Sequence, residues 1–165
     1  MFWLLLIAIV LLPACNADKI AQLERQNKEL SAKLEATSRL TNLELQDKCA
    51  QQARTEFERG GWNKLETPKH MASLTNHYNS KLGKCFMEIE DTDATAIAHG
   101  IAINKVVSDA FEGRVYGEYV WFSDKKKKYW EVAPFLCKIT PLSGEPSYCK
   151  SAEEFDLSVK KIMEQ

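Results

Sequence analysis

Two histidines seven residues apart, His70 and His77, are the first residues of this chain that invite a chemical question. A helical zinc site needs its histidines at i and i+4 around a glutamate, and that spacing is absent here. Leu82-Gly83-Lys84-Cys85 ends like a phosphate loop, yet the leading glycine is missing and Cys85 stands where Ser or Thr would hold magnesium. Asp91, Asp93, Asp109 and Glu112 supply carboxylates, but their spacing selects no acid–base geometry, and solvated turns account for them. No Gly-x-Ser-x-Gly marks a nucleophile elbow. The sequence therefore predicts no catalytic residue, no metal ligand set and no cofactor, and the chain is expected not to be an enzyme.

Binding chemistry is better represented. Lys125, Lys126, Lys127 and Lys128 form a compact positive turn, suited to phosphate-bearing lipid or an acidic partner. His77 and Tyr78 sit in a connection from Gly61 to Gly83 that reads as irregular, and long ordered loops are often functional. These six residues are the candidate binding surface. Tyr116, Tyr119, Trp121, Phe122, Tyr129 and Trp130 are able to stack on a sugar or a peptide, although about two thirds of such a set belong in a core. With 22 basic against 23 acidic side chains, the chain has no field for nucleic acid.

The five cysteines speak of compartment. From Phe2 to Leu12 eleven consecutive residues are apolar, too few for a comfortable span of about 30 Å, and Pro13-Ala14-Cys15 follows. Leu12-Pro13-Ala14-Cys15 resembles the lipobox of bacterial lipoproteins at Leu12, Ala14 and Cys15. That resemblance, confined to the first fifteen or so residues, implies removal of residues 1–14 and acylation of Cys15. It further implies a membrane lipid anchor and, with Asn16 rather than Asp after the cysteine, the periplasmic side of the outer membrane. Acylation would leave Cys49, Cys85, Cys137 and Cys149, an even number that can pair in an oxidising compartment. A turn at Ser143-Gly144, midway between Cys137 and Cys149, would set those two opposite each other. Cys49 would then pair with Cys85.

The elements that must position these residues follow from periodicity. Residues 14–59 hold neither Gly nor Pro and are rich in helix formers. Ile20, Leu23, Asn27, Leu30, Leu34 and Thr37 alternate three- and four-residue steps, so residues 20–37 read as a coiled-coil seam open to self-association, or as a solitary stalk. Thr41 and Glu44 have capping-box spacing that would restart the helix. Leu45, Cys49, Ala53 and Phe57 then make a four-residue stripe for docking on a sheet, ended by Gly60-Gly61. "CFMEIED", "RVYGEYVWF", "KYWEVAPFLCKIT" and "SYCKS" read as strands, residues 92–113 as helix or strand, and Ser151 with Glu154 caps a last helix.

The expected fold class is α+β. A helical stalk at 15–42 precedes a disulfide-stabilised domain at 43–165, whose small antiparallel sheet of about four strands is packed by a docking helix and a C-terminal helix. The expected function is a membrane-anchored envelope lipoprotein with a non-catalytic binding or structural domain, its partner an envelope protein or a glycan. A cell-wall-directed hydrolase or accessory enzyme would instead show a cleft gathering His77, an acid and an anion site. An inhibitor or exclusion factor would show one exposed loop able to enter a partner's cleft.

Overall fold

The computed structural model describes residues 2–64, 67–96 and 100–164, the side chains of 2–16 and 96 excepted. Cys15 and residues 1–14, the expected leader, thus lie outside the residues whose side chains are described. Two units are present, Met1–Leu43 and Glu44–Gln165. The first is helical throughout its described length, and α1 (Phe2–Arg59) carries on into the second. The predicted restart at Thr41 does not occur. No Gly or Pro interrupts the backbone there, and the hydroxyl of Thr37 donates back to the Lys33 carbonyl at 2.9 Å without breaking the helix. The helix stops where expected: the Gly60 N–H bonds Glu56 O at 2.9 Å, and Gly61 takes φ 77°.

In the second unit the sheet is a six-stranded antiparallel meander, ordered β1-β2-β3-β4-β5-β6, rather than about four strands. The members are β1 (His70–Asn79), β2 (Lys84–Ala96), β3 (Gly100–Asp109), β4 (Val115–Phe122), β5 (Leu136–Ile139) and β6 (Ser147–Tyr148). Two of these lie where the sequence predicts no definite strand, β1 in a stretch read as irregular and β3 in one read as helix or strand. β1 occupies the stretch expected to be irregular, paired with β2 from His70↔Asp93 to Asn79↔Lys84. It is an edge strand, with Met71, Ser73, Thr75 and His77 exposed in alternation, so its apolar signal is diluted to half. Within residues 92–113, which read as helix or strand, the described residues give the end of β2 and then β3, which lies between β2 and β4.

Two hairpins share one device. Asn79 Oδ1 accepts from the N–H groups of Lys81 and Leu82, both at 3.1 Å, before Gly83 at φ 64°. Asp109 Oδ1 likewise accepts from Phe111 at 2.9 Å and Glu112 at 3.3 Å, before Gly113 at φ 70°. An Asx side chain that bonds the turn and a glycine four residues on that takes the left-handed step together reverse the chain.

The two faces of the sheet are covered differently. On one, Phe86, Val107, Tyr119, Trp121 and Ile139 pack beneath α2 (Ala152–Glu164), which buries Phe155, Val159, Ile162 and Met163. Those four residues recur at helical spacing, as the sequence predicts. Ser151 Oγ caps α2 by accepting from Glu154 N at 3.2 Å. On the other face Cys49 and Ala53 of α1 are buried against Cys85 and Ala110, with Leu74, Tyr78 and Met87 alongside. Gln46 Oε1 meets the free edge of β1, accepting from Tyr78 N at 3.0 Å. Disulfides join Cys49 to Cys85 and Cys137 to Cys149, the latter across the β5–β6 hairpin, where Cys149 N also donates to Cys137 O at 3.0 Å.

Candidate ligand-binding clefts

Both clefts of interest lie on the α2 side of the sheet. β4 places Tyr119 and Trp121 on that face, two residues apart. Beyond β4 the chain turns through the lysines, with Asp124 Oδ1 accepting from Lys126 N at 2.8 Å, and enters a short 3-10 turn at Tyr129–Glu131. That turn folds back over the strand: Tyr129 lies 4.7 Å from Trp121 between ring centroids, and Trp121 Nε1 donates to Val132 O at 3.0 Å. Burial, then a hydrogen bond with Tyr129, holds the Tyr119 phenol well above its usual range. Facing these aromatics is the start of α2, with Lys150, Ser151, Glu153 and Asp156. The space between is a cleft of about 480 Å³. Trp130 stands at its rim, 75% exposed, with Lys128 Nζ 5.2 Å from its ring centroid.

A second cleft, of about 440 Å³, lies between α2 and strands β1 to β3. It gathers His77, Glu88, Glu90, Lys105 and Lys160, while Asp156 borders both clefts. Lys105 Nζ bonds Asp156 Oδ1 at 2.9 Å and Glu90 Oε2 at 3.3 Å. Burial alone would lower this ammonium's pKa, but the two carboxylates outweigh it and raise it. Glu88 is raised by burial, which Lys105 opposes.

On the opposite face His70 Nε2 lies 2.5 Å from Asp91 Oδ1, and Asn104 Nδ2 donates to Asp91 Oδ2 at 3.3 Å. A buried carboxylate oriented on an imidazole is what the second and third members of a nucleophilic triad look like, but this pair faces away from both clefts. Lys84 ties Asp109 at 3.1 Å and Glu112 at 2.7 Å, an ion-paired brace beside the hairpin. Its ammonium is raised, first by the hydrogen bond to Glu112. Among the described residues no three His, Cys, Asp or Glu side chains are grouped to hold a metal ion.

The six residues of the predicted binding surface do not come together. His77 is exposed on the α2 face, whereas its neighbour Tyr78 points to the α1 face beside the Cys49–Cys85 bridge. Lys125 to Lys128 follow Phe122, which is opposite Ala102, itself opposite Asp93 and His70, so they lie at the other end of the sheet from His77. Of the six aromatics, Tyr116, Tyr119 and Trp121 are buried, and Tyr129 and Trp130 are exposed at 49% and 75%. No local pattern in the sequence marks Lys105 or Asp156. Fifty-one residues separate them, and nothing local marks their meeting.

The chain matches no family model, no curated protein and no solved structure. Two disulfides are the mark of an oxidising, extracytoplasmic location. Among the described residues no helix is long and apolar enough to cross a membrane.

Proposed function

We propose that the chain is a bacterial envelope lipoprotein, anchored through Cys15 on the periplasmic side of the outer membrane, whose sheet domain binds an envelope glycan without catalysing a reaction. The observation that carries the binding role is the aromatic cleft. An exposed indole at its rim offers a flat apolar face for the C–H side of a sugar ring, and Lys150, Glu153 and Asp156 opposite supply donors and acceptors for hydroxyls. On the floor Trp121 is buried, bonded to Val132 O and in tilted contact with Tyr129, so little of its freedom is lost on binding. The anchor rests on Leu12-Pro13-Ala14-Cys15 after eleven apolar residues.

Purified cell-wall glycan supplies the test. Trp130→Ala should abolish retention on it, while Phe135→Ala, removing an equally exposed ring outside the cleft, should leave retention unchanged. Equal retention of both variants would refute the cleft. For the anchor, Cys15→Ser should release the protein from membranes, and a wild-type chain carrying no lipid mass would refute it. A second reading, a cell-wall hydrolase, is favoured by the gathering of His77, Glu88 and Lys105 in the second cleft. A carboxyl raised by burial suits the acid that protonates a leaving oxygen. New reducing ends released by the wild type but not by Glu88→Gln would establish that reading in place of the first.

A further inference from the structure

The first unit carries a row of exposed aliphatic side chains: Ile20, Leu23, Leu30 and Leu34 are 56%, 50%, 62% and 72% exposed among the described residues. With Asn27 and Thr37, also exposed, they fill the a and d positions of three heptads. We propose that residues 19–37 form a parallel, in-register, two-stranded coiled coil with a second copy of this chain. The inference stands apart from the glycan reading and from the lipid anchor.

Four features select this occupant. First, a solvated helix gains nothing from four large aliphatics on one stripe, whereas a partner helix with the same stripe buries both. Second, Ile20 at a with Leu23 and Leu30 at d is the pattern that favours two strands, and a single Asn at a, Asn27, sets register by bonding its own copy. Third, Lys19 falls at g and Glu24 at the following e, so a parallel pair brings each Lys19 against Glu24 of the second copy, twice by symmetry. An antiparallel pair faces g with g and e with e, and so loses the Lys19–Glu24 pairing. Fourth, the one hydroxyl in the seam is already satisfied, because Thr37 Oγ1 donates to Lys33 O at 2.9 Å.

The seam's length is also accounted for. Leu40 and Leu43, 64% and 67% exposed, follow at three-residue steps that rotate off the stripe, so the seam ends at Thr37. Three heptads are marginal for an isolated peptide because its ends fray. Here α1 continues past the seam to Arg59, so helix nucleation is not charged to the association.

The test uses the full chain in mild detergent, in a Cys15→Ser background so that no other thiol is free. Light scattering of that chain should give a dimer, and a monomer at micromolar protein would overturn the proposal. Leu30→Cys places a thiol at d and should oxidise to a disulfide-linked dimer about tenfold faster than Ala32→Cys on the outer face, since facing d positions are within disulfide reach. Equal rates would overturn it. A mixture of Leu23→Cys and Leu34→Cys chains distinguishes orientation. Preferential linking of the two different chains indicates an antiparallel pair and overturns the proposal, whereas each linking to its own kind supports it. Asn27→Leu should convert the dimer to a mixture that includes higher oligomers. Retention of a pure dimer in the same register would overturn the role given to Asn27.

Discussion

Gly117→Ala puts the packing of α2 on the sheet to a quantitative test. A Cβ on Gly117 would lie 3.1 and 3.2 Å from Cζ and Cε2 of Phe155 and 3.4 Å from Cβ of Val107. Phe155 is fully buried and its ring stands 5.5 Å from that of Tyr119, so it cannot swing clear. Overpacking of this kind costs about 1–3 kcal/mol. Replacing a strand glycine returns about 0.5–1 kcal/mol through the unfolded state. The net expectation is a loss of about 1–2 kcal/mol, which lowers the urea midpoint by roughly 1 M for a domain of this size. Phe155→Leu withdraws the atoms that clash, so in that background Gly117→Ala should be neutral or stabilising, a coupling of about 1 kcal/mol or more. Urea unfolding of the four chains completes the cycle. A harmless Gly117→Ala in the wild type, or an equal loss in both backgrounds, would refute the close approach as the reason for glycine.

The disulfides should differ in worth: with separations of 36 and 12 residues, loop-closure entropy gives about 4 kcal/mol for Cys49–Cys85 and about 3 for Cys137–Cys149. Paired Cys→Ala variants compared by urea unfolding check the order, and its reversal would count against the loop argument. Glu88, raised from 4.5 chiefly by burial, holds its proton more tightly folded than unfolded, so its contribution to stability falls as pH rises from 4.5 through the folded value. Glu88→Gln should therefore raise stability at pH 7 and flatten the profile in that weakly acidic window. A lower stability at pH 7 would show that attraction to Lys105 dominates instead. A chain beginning at Thr41 should keep cooperative unfolding, because the second unit starts at Glu44, and a broad, non-cooperative transition would contradict that division.

What was legible in the sequence followed the strength of local repeats. The α2 stripe of Phe155, Val159, Ile162 and Met163 and the docking stripe through Cys49 and Ala53 have one wet side and one dry side, and periodicity reports that directly. β4 announces itself because "RVYGEYVWF" is dense in β-branched and aromatic residues. β1 does not, since an edge strand with a solvated side carries Ser, Thr and His at alternate places. Its better signal was the turn: Asn79 to Gly83 and Asp109 to Gly113 repeat one Asx-x-x-x-Gly pattern, and reading both as hairpins would have placed β1 and β3. For the clefts, the aromatic cluster was visible but its sorting into floor and rim was not. That sorting depends on the short turn at Tyr129, which doubles back over Trp121. The grouping of His77 with Tyr78 failed for a simpler reason: adjacent strand residues face opposite ways.

Constraint is distributed unevenly around the aromatic cleft, and this bears on how it would take a ligand. Its α2 wall is fixed within a few residues by the bridge at Cys149, the cap at Ser151 and the burial of Phe155 against Gly117. The floor is fixed by the Trp121 bond to Val132 and by the tilted contact of its ring with Tyr129. Trp130 has no comparable packing and stands mostly in solvent. A ligand stacking on that indole orders its side chain while meeting, opposite, the Asp156 carboxylate already held by Lys105 at 2.9 Å. The other bridge, Cys49–Cys85, lies on the far face, where it secures α1 to β2 and touches neither cleft. Loss of Cys137–Cys149 should thus weaken binding beyond its effect on stability. Loss of Cys49–Cys85 should change stability alone.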